Sequence, residues 1–341
     1  MRTTFDAINM LLKGHSDEVL CAFDNSEDSI LATGSQDLSA RFWDIRINRS
    51  IRRLGCPEPV TAISKGATMF EWFVASGNKL LLFDLRNENR VLINEFREGF
   101  ICKDEINDLD FLNNGNIAEI SNGEYFFDNM SSQIVMADDD GYVSNLKGYN
   151  CVQQMHSHKK SAATSVRYLS SKFIVSGGLD NNLVISDLQL SRSVYKYLIP
   201  QVQMFNPPHV HQLDSYKNSE DNIPGKFSAA IGDGSIALFN PEQETRKNKV
   251  NWPRVCENSI RLSEVHFAPS CCIKFVNEEV IGSAGCDKTV ALTRFLPSDS
   301  KLEILHRFSI DSKPNVLCFP RSKPGTIFVC TVNKSIDIVN Y

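Results

Sequence analysis

His15, Thr33, Asp37 and Trp43 are the residues of this 341-residue chain whose types look most like chemistry. A histidine between a carboxylate and a hydroxyl is the arrangement that general-base catalysis uses. The same four residues also make a structural chain. An indole N–H only donates, a hydroxyl accepts it, neutral imidazole both donates and accepts, and an aspartate accepts at the end. Buried polar groups normally pair in this way, so a role in holding the fold is expected. His158 and Asp180 repeat the interval between His15 and Asp37, with Ser186 standing where the tryptophan would be. The other candidate chemistry is sparse. There is no Gly-rich phosphate loop and no G-x-S-x-G elbow. His156/His158 and His209/His211 alternate as strand residues do, but no carboxylate or thiolate completes a metal set at a recognisable spacing. Neither a catalytic residue, a metal nor a cofactor is expected.

The elements that must position these residues are short strands. Around the four lies the stretch Leu12–Arg46, with Gly14-His15 at its start and Trp43-Asp44 near its end. Apolar runs at Val19–Phe23, Ile30–Thr33 and Leu38–Trp43 are separated by the turn Gly34-Ser35-Gln36-Asp37. The pattern then returns. A second unit has Val60–Ile63, Phe73–Ala75 and Lys79–Phe83. A third has Leu109–Leu112, a polar insertion over Asn113–Ser132, and Ile134–Ala137. The fourth, with Ile174–Asp180, echoes the first most closely. The fifth has Val210–Leu213, a polar insertion over Asp214–Lys226, then Phe227–Ile231 and Ile236–Phe239. The sixth reads Glu264–Phe267, Glu279–Ser283 and Val290–Leu292, and the seventh Val316–Phe319, Thr326–Val329 and Ile336–Val339. Runs rich in Val, Ile, Leu and Phe between Gly/Asn/Asp turns read as strands, and few windows hold a helical stripe.

A Gly-His start and a Trp-Asp finish on a four-stranded unit resemble the WD-repeat family. That resemblance implies an all-β fold, a seven-bladed WD40 β-propeller occupying 1–341 as one domain. The blades are expected at about 12–50, 55–97, 104–150, 152–195, 205–245, 260–300 and 304–341. The seventh unit shows three strands, while the apolar segment 5–12 has no partner. The N-terminal strand is therefore expected to complete the last blade and close the ring, which removes unpaired sheet edges. Only the first unit carries the whole His15/Thr33/Asp37/Trp43 set. The fourth keeps His158 and Asp180, and the rest keep little beyond a turn Asp or Asn, so apolar burial is expected to hold most blades.

A second motif goes beyond the repeat. Trp43-Asp44-Ile45-Arg46 and Phe83-Asp84-Leu85-Arg86 place an arginine at one offset in neighbouring units. Within the WD-repeat family, paired aromatic-Asp-x-Arg motifs resemble those of cullin-4 ligase substrate receptors. The resemblance implies an adaptor, damage-specific DNA-binding protein 1, facing Arg46 and Arg86, with Asp44 and Asp84 holding them. Arginine suits such a place because its fork makes several directed bonds. The plainer alternative is an exposed ion pair of little worth. The segment Asn206-Pro207-Pro208-His209-Val210-His211 is the least generic part of the chain and resembles a small group of the family that are candidate receptors of this kind.

Composition excludes other classes. A formal net charge of -5 and a pI near 5.8 argue against a direct nucleic-acid binder. The run Arg41, Arg46, Arg49, Arg52 and Arg53 is expected to spread over a strand and its turn. The ten cysteines contain no C-x-x-C pair, and several lie in apolar runs, as small buried hydrophobes do. The first residues lack the apolar core of a signal peptide, and no run reaches the length of a membrane span. An intracellular protein, in cytoplasm or nucleus, is expected. The functional expectation is a non-catalytic interaction scaffold, a substrate receptor of a cullin-4 RING ubiquitin ligase. A scaffold of another complex and an enzyme with carboxylates in a central channel are the alternatives. The innermost strands read as mainly apolar, which speaks against the enzyme; converging carboxylates in the channel would reverse that.

Overall fold

The computed structural model describes residues 8–25, 29–66, 68, 70–86, 91–113, 132–147, 150–202, 204–217, 223–247 and 249–341. Seven antiparallel sheets follow one another in the chain, each starting from a first strand: Val19–Asn25, Val60–Lys65, Ile106–Asn113, Ala163–Tyr168, Val210–Tyr216, Ser270–Phe275 and Pro314–Cys318. Each first strand packs against those of both neighbouring blades, so the seven form a closed ring around a channel. Strand Ile8–Lys13 pairs with Ser335–Asn340 and completes the seventh sheet. The ring is thus a seven-bladed β-propeller closed by its N-terminal strand, as the sequence implied. Residues 5–7 of the expected segment lie outside the described residues, as do 114–131 of the blade-3 insertion.

The core is divided in seven. One apolar cluster fills each gap between blades, for example Ala32, Phe42, Leu54, Val60, Trp72, Val74 and Phe83 between blades 1 and 2. The strands that supply both faces of a blade are buried throughout, as in Glu71–Ser76 and Thr326–Thr331. They read as continuous apolar runs because each sheet is covered on both sides. Fully burying one such Val, Leu or Phe contributes about 1.5–3 kcal/mol. All ten cysteines are free, and six of them are buried. Burial pushes the Cys102 and Cys318 thiols up to about 12, so these act as small hydrophobes.

A β-bulge interrupts every first strand near its start, at Leu20, Thr61, Asn107, Thr164, His211, Cys271 and Asn315. In five blades the extra residue turns its side chain toward the next blade. Thr61 donates to the Ile106 carbonyl, Asn107 to Ala163, Thr164 to Val210, Cys271 to Pro314 and Asn315 to Val19. These bonds fasten neighbouring blades around the channel mouth. Bulges re-aim side chains in this way.

Three strand boundaries differ from expectation. Glu264–Phe267 is a connection, and the first strand of blade 6 is Ser270–Phe275. Cys271, Cys272 and Ile273 supply the strand that Val265 had suggested. Strand Val210–Tyr216 runs on through Asp214, and the next begins at Lys226, so the blade-5 insertion is shorter than 214–226. Between the third and fourth strands of blade 5, a small hairpin (Thr245–Arg246 with Lys249–Val250) and a helix (Trp252–Glu257) intervene. Blade 1 also gains a fifth strand: Leu92–Ile93 lies parallel to Arg49–Gly55.

Candidate functional site

Alternating strand direction sends the two kinds of connection to opposite rims. First-to-second and third-to-fourth connections share one rim; second-to-third and blade-to-blade connections share the other. His15 lies on a blade-to-blade connection and Asp37 on a second-to-third turn. Arg46 and Arg86 follow third strands Ser39–Asp44 and Lys79–Asp84, and so stand on the opposite rim.

On the histidine rim, Trp43 Nε1 donates to Thr33 Oγ1 at 2.8 Å, and His15 Nε2 meets the same oxygen at 2.8 Å. His15 Nδ1 meets Asp37 Oδ2 at 2.9 Å, an oxygen that also accepts from the Ser16 N–H at 2.9 Å. Burial lowers the His15 pKa, against the pull of Asp37. Burial works to raise Asp37, but bonds from His15, Ser39 and Ser16 carry it well below the usual carboxylate range. The imidazole is therefore enclosed, with both ring nitrogens engaged. In blade 4, His158 bonds Asp180 at 2.8 Å and Ser176 at 2.9 Å, and Lys196 joins Asp180 at 3.0 Å. Ser186 lies apart from this set, against Ser193 at 3.3 Å.

A third set was not seen in the sequence. His266 meets Ser283 Oγ at 2.9 Å and Thr289 Oγ1 at 2.7 Å, with Asp287 Oδ1 at 3.5 Å. Burial depresses its pKa to about 4. The expectation that blades other than the first and fourth keep little beyond a turn Asp is corrected by this set. Two glycines admit these loops: Gly141 and Gly234, at φ 79° and 83°, press against the carbonyls of His158 and His266, where a Cβ would collide.

The other histidine pairs do not make sites. His156 ends a strand and stacks on Tyr142 with centroids 4.3 Å apart, whereas His158 turns inward. The His209 and His211 rings sit at 88° to one another. Among the described residues no group of three or more His, Cys, Asp or Glu is placed to hold a metal ion. Among the described residues no helix is long and apolar enough to cross a membrane.

Carboxylates do converge in the channel, and the expectation of mainly apolar inner strands is corrected there. The channel narrows to a cavity of about 240 Å³ lined by Asp108, Asp110, Arg167, Gln212 and Lys274 among others. Arg167 Nη1 meets Asp108 Oδ2 at 2.6 Å, and Lys274 meets Asp214 Oδ1 at 2.9 Å. Each carboxylate also reaches the next blade's inner backbone. Asp108 accepts from Val166 N, Asp110 from Tyr168 N and Asp214 from Phe275 N. The remaining oxygens of Asp108 and Asp110 accept from Leu109 N and Phe111 N. Burial alone would lower the Arg167 pKa, but Asp108, Asp110 and Asp214 raise it. All six oxygens are thus engaged, in bonds that supply partners for inner-edge N–H groups no strand covers.

On the opposite rim, Arg46 Nε donates to Asp44 Oδ1 at 3.0 Å and Nη2 to Oδ2 at 2.6 Å. Arg86 grips Asp84 the same way, with Nη2 to Oδ2 at 2.6 Å. In both turns the first aspartate oxygen also accepts the arginine's own backbone N–H. The bonds from the Arg46 side chain, with a smaller part from its backbone N–H, hold the Asp44 pKa down to about 2. The Arg46 side chain is 70% exposed and that of Arg86 29%. The remaining basic residues spread further than a strand and its turn: Arg41 lies in the third strand of blade 1, and Arg49, Arg52 and Arg53 in the fourth.

The family model described as WD domain, G-beta repeat matches residues 8–44, which are strand Ile8–Lys13 and the first three strands of blade 1. The chain is similar to the WD repeat-containing protein 53 homolog of Dictyostelium discoideum, at 22% identity over 98% of this chain and 94% of that protein. Its fold is also that of the WD40 β-propeller domain of Doa1, with a TM-score of 0.69 at 14% identity, covering 97% of this chain and 96% of the other.

Proposed function

We propose that this WD-repeat propeller is a non-catalytic interaction scaffold that recruits substrates to a cullin-4 RING ubiquitin ligase. Arg46 and Arg86 face the adaptor, damage-specific DNA-binding protein 1. The observation that carries the reading is the pair itself: two neighbouring blades present the same aspartate-fastened guanidinium on the same rim. A guanidinium already held by its own carboxylate loses less freedom on docking than a loose one. The resemblance of both tetrapeptides to the receptor motif supports the same partner. The channel carboxylates support a scaffold rather than an enzyme, since their oxygens tie neighbouring blades together through inner backbone N–H groups, Arg167 and Lys274. Free thiols suit a reducing compartment, cytoplasm or nucleus.

Affinity purification of the wild type and of Arg46→Ala/Arg86→Ala, followed by mass spectrometry, tests this. The wild type is expected to carry the adaptor and the double variant to lose it, by about 2 kcal/mol or more if the arginines are hot spots. Absence of the adaptor from the wild-type eluate sinks the ligase reading and leaves a scaffold of another complex. Equal recovery by a folded double variant sinks the role of the arginines.

A further inference from the structure

We propose that the groove between the outer strand of blade 4 and the blade-5 insertion binds an extended acidic segment of a partner protein. This inference does not depend on the adaptor reading.

The insertion is anchored on one side and open on the other. Trp252 packs edge-on against Phe173 at 5.2 Å, and Trp252, Val255 and Cys256 are buried in the cluster between blades 4 and 5. Asn251 caps the helix through the Arg254 N–H. The hairpin and helix are thereby fixed, and their other face, with Val194 and Tyr195 of blade 4, bounds a groove of about 590 Å³. Arg246, Lys249 and Arg254 stand exposed along it. No carboxylate among the described residues pairs with any of the three. The acid beside them, Glu244, is engaged by Asn258 at 2.7 Å. In a chain of net charge -5, a groove lined by three exposed cations and the one carboxylate of Glu244, three positive charges against one negative, is a local exception, and opposite charge on a partner is what it complements.

The shape of the occupant follows from the strand edge. Strand Arg192–Leu198 is the outermost of blade 4 and carries no further strand. In blade 1 the equivalent strand is already extended by this chain itself: Leu92–Ile93 pairs in parallel with Arg53 and Leu54, and Arg53 N donates to Val91 O at 2.7 Å. Both outer strands bulge at the same place, which aligns Ser50 with Ser193. Val194 and Tyr195 then correspond to Ile51 and Arg52, just before the positions where the blade-1 strand is extended. A strand added at blade 4 lays alternate side chains over the apolar floor of Val194, Val250 and Pro253, with the others toward the cations. The apolar floor and the sheet edge favour a polypeptide over a nucleic acid, which would want exposed stacking faces.

The test is fluorescence anisotropy on the full chain with labelled twelve-residue peptides. The probes are an alternating Glu-Val peptide, its Lys-Val counterpart, the Glu-Val peptide with alternate backbone nitrogens methylated, and a twelve-nucleotide single-stranded RNA. The Glu-Val peptide is expected to bind saturably. Its affinity should fall about tenfold or more in Arg246→Glu/Lys249→Glu/Arg254→Glu, which alters exposed side chains only. A fall of similar size is expected on N-methylation, and no binding is expected of the Lys-Val peptide. Loss of affinity at high salt with the wild type reads the charge contribution without any variant. No saturable binding at millimolar peptide, undiminished binding by the folded variant or by the methylated peptide, or binding of the RNA in preference to the peptide would each overturn the proposal.

Discussion

Asp138 stands where two other blades use a hydroxyl, and replacing it with serine tests how the loops of the histidine rim are held. Ser35 and Ser76 end the second strands of blades 1 and 2 and donate to the carbonyls of Asp17 and Glu58, at 3.2 and 2.8 Å. The register places Asp138 in the same position, opposite Ile106 as Ser35 is opposite Val19 and Ser76 opposite Val60. Asp138 is 1% exposed; its Oδ1 accepts from Tyr142 N at 2.7 Å, while its Oδ2 has no partner. Burial first, and then Asp140 and Asp104, push its pKa up to about 6, against the bond from Tyr142 N and a smaller pull from Lys103. A carboxyl whose pKa rises on folding binds a proton in the folded chain that it does not bind unfolded. Stability therefore falls as pH rises from the ordinary 3.8 through about 6, and the full penalty stands above that. Two units at about 1.4 kcal/mol each give close to 3 kcal/mol, which screening at a site near the rim cuts to about 1–2 kcal/mol. A serine restores a donor toward Asp104, worth about 1 kcal/mol, and gives up the bond from Tyr142, worth about the same. Asp138→Ser should thus be more stable than wild type by about 1–2 kcal/mol in urea unfolding near neutral pH, with the gain vanishing toward pH ~4. A variant less stable at neutral pH, or a gain independent of pH, refutes the reasoning.

His266, depressed from 6.5 to about 4, must be neutral to fold, so its contribution is complete above the unfolded value and is lost as pH falls toward 4; the arithmetic gives about 3 kcal/mol. His266→Gln should flatten that acid limb of the stability–pH curve, and an unchanged limb counts against it. Trp43→Phe removes the donor to Thr33 and should cost about 1–2 kcal/mol by urea midpoint, whereas Arg46→Ala/Arg86→Ala should leave the midpoint close to that of the wild type, because the Arg46 guanidinium is largely in water and the Arg86 one is half-buried at the rim. Deleting residues 1–13 uncovers the edge of Ser335–Asn340 and the buried Ile336 and Ile338; light scattering should show aggregation at concentrations where the full chain stays monodisperse.

The propeller was legible because one repeat is well formed and strands buried on both faces leave apolar runs that align to it. The closing strand was legible from an apolar segment without a partner. His266 was missed because it stands 21 residues before Asp287, one fewer than the interval of 22 in blades 1 and 4, and because Ser283 and Thr289 rather than a tryptophan complete its set. The short helix Trp252–Glu257 has too few turns to show a stripe. The channel ties were hidden for a different reason. Asp108 and Arg167 lie 59 residues apart, and Lys274 and Asp214 lie 60 apart. One blade length separates such partners, or nearly two where an insertion intervenes, so their meeting is a property of ring closure and no local pattern carries it. Asp214 was placed in an insertion because it is a charged residue ending an apolar run, whereas in the fold it is covered by Lys274 and Arg167.

The division between the rims limits what the protein can do with each. On the histidine rim, His15, His158 and His266 are spent on holding loops, with both ring nitrogens bonded in each. Chemistry on those histidines would have to break the bonds that close the blades. The enlarged third-to-fourth connection of blade 5, the hairpin with its helix before Ile260, is of the other kind. It shares the rim of Arg46 and Arg86, where an addition disturbs no inner-strand tie. An addition at the rim where the arginines stand changes a binding surface while keeping the scaffold fixed. A partner seated over blades 1 and 2 leaves the blade-5 insertion three blades away around the ring. The two surfaces are therefore separable, and loss of either by mutation should leave the other's binding intact.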